Sequence, residues 1–346
     1  MAFYDQIPSA GKILVLDLGF LGDTIHLLPA VRHIRECFPA AELSLMSAQH
    51  ILPLLEATPW IDQVLGYPRY PKGPKPWQDG GRIAALRRAN YQTVINLNGS
   101  DRSSILTRLT GAPLRLGRRP TNGGPWFWPS LFTHEVRLPR GGQPVYRQNL
   151  ELLQQAGFPG EAPRFDVTFP AEARARADQA LEGIDAFIHV SPFANDDYKE
   201  LPADQLADLL GELRAARPDL AIMVSCAPTP RERDKMHQWL SHLPFTPDRV
   251  FAGELDLLSL GSLLSRTRLH LGADSGAIHL AMLAGAPLLG WFRQYEAIDE
   301  WIPDLGNSRV LIGEASPNGL QNLKTSALVN AALELLDAGR ERNESP

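Results

Sequence analysis

At 346 residues the chain is longer than one hydrophobic core usually sustains, and 44% hydrophobic with 21% charged residues is the make-up of a soluble globular protein of two domains. Its two cysteines, Cys37 and Cys226, are too few and too far apart for a disulfide framework, which favours a reducing compartment. The net charge of −5 is uneven: residues 1–170 carry 18 Lys+Arg against 13 Asp+Glu, the remainder 16 against 26, and residues 69–119 hold 11 basic and 2 acidic side chains. Such a stretch is either a solvated basic face or a surface for an anionic partner. Sparse aromatic interleaving and the lack of any nucleic-acid motif speak against nucleic acid.

The start has no basic segment, and its apolar run is broken by Asp17, so no signal peptide is expected. Lys12–Leu18 reads as a buried parallel strand, and Gly19–Gly22 as a tight turn. From Thr24 to Cys37, apolar residues Ile25, Leu28, Val31 and Ile34 mark one helix face, ended by Pro39. Strand and helix signals then alternate: strands at Leu43–Met46, Val64–Gly66 and Thr93–Leu97, helices at Gln49–Glu56, Arg82–Ala89 and Ser103–Leu109. Pro68–Gly81 reads as a loop, and Thr121–Pro129 as irregular and aromatic. A proline-bearing linker, Glu161–Pro170, precedes a second round: strands at Ala186–Val190, Leu220–Ser225, Arg249–Phe251, Leu269–Leu271 and Pro287–Trp291, helices at Ala203–Ala215, Arg231–Leu240, Leu257–Ser265 and Gly276–Ala284, and a last helix at Thr325–Ala338. The apolar stretch Leu269–Phe292 contains Asp274, His279, glycines and Pro287, so it reads as a strand–turn–helix–strand unit and not as a membrane span. The pattern predicts an α/β protein of two Rossmann-like, doubly wound parallel sheets with a cleft between the domains.

Three motifs carry chemistry. The first is Leu18–Asp23 after the first strand. Two glycines let backbone approach a substrate closely, and Asp23 at a helix start faces the positive end of the helix dipole, which suits an ionised carboxylate. Such a group either caps the helix or accepts a proton from an attacking hydroxyl. The run GxxGD is not the GxGxxG of dinucleotide binders, which counts against a nicotinamide oxidoreductase. The second motif is Gly272–His279: a strand end, a small-residue turn, then a helix whose free N–H groups suit a diphosphate. Ser275 either caps the helix or bonds a phosphate oxygen, Asp274 can take sugar hydroxyls, and His279, one turn into the helix, is either structural or part of the anion site. The third is Ser191–Phe193 with Lys199–Pro202, where Lys199 can reach a phosphate as a mobile point charge.

Taken together, ILVLDLGFLGDTIHLLPAVR, Lys199–Pro202 and GADSGAIHLAMLAGAP resemble the heptosyltransferase family, glycosyltransferase family 9, over nearly the whole chain. YQTVINLNGSDRSSILTRLTGAPLRLGRRP is a weaker match to the family's acceptor-domain segment. The resemblance implies a GT-B fold, with residues 1–165 binding the acceptor and 166–346 the nucleotide-sugar donor, the last helix being free to pack back on the first domain. It implies an inverting transfer of heptose from ADP-heptose to a lipopolysaccharide inner-core acceptor (Kdo-lipid A or a heptosylated core), with no cofactor and no metal. Asp23 would be the general base. Ser191, Lys199, Asp274, Ser275, Gly276 and His279 would hold the donor. Arg102 falls where the family has a basic residue near the acceptor, and Gly22, Arg69 and Arg118 complete the expected acceptor set. The enzyme would be cytoplasmic and peripheral at the inner-membrane surface. Pro228 stands where the family has a ribose-binding glutamate, Asn96 where Asp is common, and Leu201 where an aromatic is often found. These departures leave open a different donor, such as a UDP-hexosamine. A non-catalytic sugar-nucleotide or glycolipid binder is the other alternative.

Overall fold

The computed structural model describes residues 1–68, 75–119, 126–139 and 141–344. The chain forms two compact units: Met1–Asp166 with Asp299–Trp301, and Val167–Ile298 with Ile302–Pro346.

The first unit runs β1 (Lys12–Leu16), α1 (Leu21–Cys37), β2 (Glu42–Ala48), α2 (Leu52–Glu56), β3 (Gln63–Tyr67), α3 (Gly80–Ala89), β4 (Thr93–Asn96), α4 (Asp101–Leu109), β5 (Leu114–Arg119), β6 (His134–Arg137) and α5 (Val145–Gln155). Its sheet has the order β3-β2-β1-β4-β5-β6, and every pairing is parallel. The central strand β1 is apolar because both faces are covered: Leu14 and Leu16 pack with Met46, Val94, Leu86 and Leu106 on one, and Ile13 and Val15 on the other are equally buried.

The second unit runs α6 (Ala171–Ala180), β7 (Phe187–Ser191), α7 (Ala203–Ala216), β8 (Ala221–Cys226), α8 (Pro230–Leu240), β9 (Arg249–Ala252), α9 (Leu257–Leu264), β10 (Leu269–Ala273), α10 (Gly276–Leu283), β11 (Leu288–Arg293), β12 (Ser308–Gly313) and α11 (Thr325–Glu344). Its order, β12-β11-β10-β7-β8-β9, repeats the first topology, again all parallel. In each sheet the winding direction reverses once, between β1 and β4 and between β7 and β10. Ligands of open parallel sheets bind at the carboxyl ends of such strand pairs.

Several elements differ from the sequence reading. Helix α1 begins at Leu21, not Thr24, so Gly22 lies inside the helix and not in the turn. Strands β5, β6 and β12 carry Arg, Glu or Ser among few apolar residues and have at most two fully buried positions each, so they lack the continuous apolar run of a central strand. Helix α6 offers only alanines to its buried face, and α5 lies just before the proline-bearing segment read as a linker. The last helix, for which a return to the first domain was open, packs against α7, and Leu328, Ala332 and Leu336 join the core of the second unit. No helix among the described residues is long and apolar enough to cross a membrane.

The second core contains two histidines on adjacent strands. His189 of β7 and His270 of β10 are in register, fully buried, and have their Nδ1 atoms 3.0 Å apart, so one ring donates and the other accepts. Burial pushes His189 down to about 3. Burial and then the charge of His189 push His270 well below its ordinary value. Both rings are therefore neutral in the folded chain. As pH falls below about 6.5 the unfolded chain takes up protons that the folded chain refuses, so stability is lost with falling pH. The loss is about 2 kcal/mol per histidine by pH 5. Thermal melts between pH 7.5 and 5 are expected to show Tm falling more steeply in the wild type than in the double variant His189→Leu/His270→Leu, and equal slopes would contradict this account.

Candidate functional site

In the first unit the chemistry gathers where the sheet reverses, at the carboxyl ends of β1 and β4. Asp23 is the third residue of α1 and half-buried, and its Oδ2 accepts the backbone N–H of Phe20, the N-cap residue, at 2.8 Å. The carboxylate thus lies in the first turn, where the helix dipole favours negative charge. Gly19 makes this closure possible: a Cβ there would sit 2.2 Å from the Cβ of Asp23. The need for that glycine is the approach of Asp23 itself, where the sequence suggested the approach of a substrate.

A second carboxyl group, which the sequence reading passed over as a break in an apolar run, lies immediately after β1. Asp17 is 2% exposed. Its Oδ1 accepts the Gly19 N–H at 2.9 Å and Asn98 Nδ2–H at 2.8 Å, and Thr24 Oγ1 lies 2.9 Å from its Oδ2. Thr24 Oγ1 is also 3.0 Å from Ser47 Oγ of β2. Burial, and then the negative charge of Asp23, raise the Asp17 carboxyl to about 7 against the lowering pull of its three hydrogen bonds. An acidic residue closing an apolar strand two positions before a glycine was the available signal.

Asn98 belongs to the loop between β4 and α4. Its backbone N–H donates to Asn96 Oδ1 at 3.0 Å, while Asn96 Nδ2 donates to Ser103 Oγ and Thr107 Oγ1, both at 3.1 Å. Asn96 is fully buried. An ionised Asp there would accept but not donate, which gives the departure at this position a structural reason. Arg102, second in α4 and half-buried, makes no hydrogen bond or ion pair among the described residues, and its charge acts on the buried Tyr67 phenol. Gly22 is buried inside α1. Arg118 donates to Gln148 Oε1 at 2.8 Å, to Leu138 O at 3.2 Å and to Pro139 O at 2.7 Å, so its guanidinium ties the residues after β6 to α5. Arg69 lies outside the described residues. Other cations of the basic stretch also serve the fold: Arg82 donates to Gly66 O, Arg87 to Leu109 O, and Arg115 to Leu131 O and Ala112 O.

In the second unit the same place in the topology, the ends of β7 and β10, joins the two remaining motifs. Lys199 Nζ lies 2.7 Å from Asp274 Oδ2, an ion pair whose carboxylate is 8% exposed and whose lysine is 27% exposed. Ser275 is the N-cap of α10, extended in backbone, and its side chain makes no capping hydrogen bond, so the first N–H groups of Gly276 onward are not taken by it. His279, 3% exposed, is pushed down to about 4 by burial, with the pull of Asp274 and the push of Lys199 as smaller influences. It is therefore a neutral ring at physiological pH. Ser191 is buried, with Oγ 3.2 Å from Ser225 Oγ.

Glu200, which the sequence did not single out, anchors the loop bearing Lys199. It accepts the Ala194 N–H at 3.0 Å and pairs with Arg231 at 3.3 Å and with Lys235. Its partners come from α8 and could not be foreseen from local spacing. Pro228, in the loop after β8, packs on Gly253, whose φ of +93° and missing Cβ allow the approach: a Cβ there would lie 2.5 Å from Pro228 Cα. Glu232 accepts the Ala227 N–H at 2.8 Å in that same loop.

One group among the described residues has metal-ligand spacing: His33, Glu36 and Glu161. Glu36 is paired with Arg32 and Arg164, and Glu161 with Arg164, so both carboxylates already have cationic partners. His33 sits ten residues along α1 from Asp23, roughly 15 Å away at 1.5 Å per residue.

Comparison with known proteins agrees with the fold. The chain is 22% identical over 302 residues to the lipopolysaccharide core heptosyltransferase OpsX of Haemophilus influenzae, covering 86% of this chain and 83% of that one. The glycosyltransferase family 9 structure from Veillonella parvula superposes with a TM-score of 0.80 at 19% identity, over 95% of this chain and 97% of that one. Escherichia coli heptosyltransferase WaaC, solved with ADP-2-deoxy-2-fluoro heptose, gives a TM-score of 0.73 at 17% identity, over 93% and 99%. Two doubly wound units in one chain are the GT-B fold of these glycosyltransferases. With residues 82–318 matching the family profile, the chain belongs to glycosyltransferase family 9, the heptosyltransferases, and is a glycosyltransferase.

Proposed function

We propose that the protein transfers a heptose from ADP-heptose to an anionic lipopolysaccharide inner-core acceptor, with inversion and with Asp23 as general base. The observation that carries the donor half is the contact of Lys199 with Asp274, which joins motifs 75 residues apart beside the N-terminus of α10. A diphosphate fits there: the first-turn N–H groups and the Ser275 hydroxyl meet its oxygens, and the ammonium of Lys199 has donors beyond the one given to Asp274. Asp274 accepts from sugar hydroxyls, and neutral His279 supports the turn without adding charge. The relatives named as lipopolysaccharide heptosyltransferases and the ADP-heptose analogue bound to the Escherichia coli enzyme support this choice of donor and acceptor.

In the reaction the acceptor oxygen forms its bond to the anomeric carbon as the bond from that carbon to the diphosphate oxygen breaks. The electron pair leaves with ADP, and the acceptor proton passes to the Asp23 carboxylate. The departing charge is met by Lys199 and the helix N-terminus. Arg102, which makes no ion pair among the described residues, would meet an acceptor phosphate or carboxylate. Working on such acceptors places the enzyme in the cytoplasm, peripherally at the inner-membrane surface.

Pro228 supports a second reading in which the fold is kept and the nucleotide differs, because a proline ring cannot bind a ribose hydroxyl as a carboxylate does. Calorimetry with ADP-heptose, ADP-glucose and UDP-hexosamines separates the two: tightest binding of ADP-heptose is expected, and preference for a uridine nucleotide would overturn the donor assignment. Lys199→Ala should weaken donor binding about tenfold or more, since it removes the charge and leaves Asp274 unpaired. Asp23→Asn should lower kcat about 10²- to 10⁴-fold while donor affinity stays within a few-fold, and near wild-type turnover would reject the base. Turnover measured in excess EDTA should equal that without it, and loss of activity restored by a divalent cation would show that protein charge alone does not carry the leaving group.

A further inference from the structure

The turn after β1 holds two carboxyl groups, and only one is used by the proposed chemistry. They accept from consecutive backbone N–H groups: Asp17 from Gly19 and Asp23 from Phe20. Thr24, the neighbour of Asp23 in α1, lies against Asp17, and Asn98 reaches Asp17 from the β4 loop. Asp17 is therefore tied to the residue before the Phe20–Asp23 hydrogen bond, to the residue after Asp23, and across the point where the sheet reverses.

We propose that Asp17 is a positioning residue for Asp23: its buried carboxyl clamps the turn through Gly19, Thr24 and Asn98 and so holds the Asp23 side chain in the first turn of α1. A proton on Asp17 has a defined place. Oδ1 is occupied by two N–H donors, so the proton belongs on Oδ2, where Thr24 Oγ1, the donor to the ionised carboxylate, turns its hydrogen to Ser47 Oγ and accepts instead. The hydroxyls of Thr24 and Ser47 suit this, because each can donate or accept. Among the described residues Asp23 is the one charged group acting on Asp17, and the neighbours from β2 and the β4 loop, Ser47 and Asn98, are neutral. When Asp23 has taken the acceptor proton, the charge that disfavours ionisation of Asp17 is gone, and the pair returns to one proton once Asp23 releases it.

This inference rests on the reading of Asp23 as base, and the test keeps the two apart. Asp17→Asn keeps an acceptor for Gly19 and Asn98 and puts an N–H where the Asp17 proton would be. Asp17→Ala removes the clamp. With folding checked by thermal melts and donor affinity by calorimetry, Asp17→Ala should lower kcat tenfold or more with unchanged donor binding, and Asp17→Asn should recover kcat to within about threefold of wild type. The wild-type kcat–pH profile should decline on its alkaline side with an apparent pKa near 7, where Asp17 ionises beside Asp23, and Asp17→Asn should lack that decline. Asn as damaging as Ala, or superimposable pH profiles for wild type and Asp17→Asn, would overturn the proposal. Where Asp17→Ala fails to fold, the kcat and pH profile of Asp17→Asn alone decide it. An Asp23→Asn variant measured alongside isolates the underlying reading: full turnover there removes the base, whereas a dead Asp23→Asn beside a fully active Asp17→Ala removes only the clamp.

Discussion

Two carboxyl groups lie in one seven-residue stretch, and among the described residues the charge that acts on Asp17 is the like charge of Asp23, so burial and repulsion together raise the Asp17 carboxyl to about 7. The first unit is arranged around that constraint. Asp17 is fully desolvated and surrounded by neutral donors, whereas Asp23 is half-exposed and lies in the first turn of α1. Environment thus separates two identical side chains into one that is buried and hydrogen-bonded on both oxygens and one that is half-exposed at a helix start. The small-residue turn serves the same end, since Gly19 leaves the space that the Asp23 side chain fills.

The second unit solves a different electrostatic problem at the equivalent point of the same topology. There the proposed diphosphate calls for positive potential, which a lysine held by a nearly buried carboxylate and the amino end of α10 would supply. The acidic partner fixes the lysine, which would otherwise be a freely mobile cation. Glu200 in turn fixes the lysine's loop by binding Ala194 and two cations of α8. In both units a polar contact therefore bridges the two strands that flank the reversal: Asp17 to Asn98, and Lys199 to Asp274.

Much of this was legible in the sequence because central parallel strands and their turns advertise themselves. Continuous apolar runs such as KILVL are buried on both faces, and small polar residues directly after them mark the carboxyl ends. Edge elements such as β6 and β12 gave no such signal, because an edge strand buries one side and may carry charge on the other. The basic stretch is less informative for a related reason. Charge counted along a chain does not show where a guanidinium points, and Arg82, Arg87, Arg115 and Arg118 spend theirs on carbonyl oxygens. Asp17 and Glu200 were missed because their meaning depends on partners far away in the chain, Asn98 and Arg231, which no local pattern reveals.

The most direct measurement is a crystal structure with an unreactive donor analogue and an inner-core acceptor bound together. The account predicts the attacking hydroxyl about 3 Å from a carboxyl oxygen of Asp23. It also predicts the diphosphate on Lys199 and the Ser275–Gly276 end of α10. A bound acceptor whose reactive hydroxyl faces a different side chain, with Asp23 turned elsewhere, would contradict it.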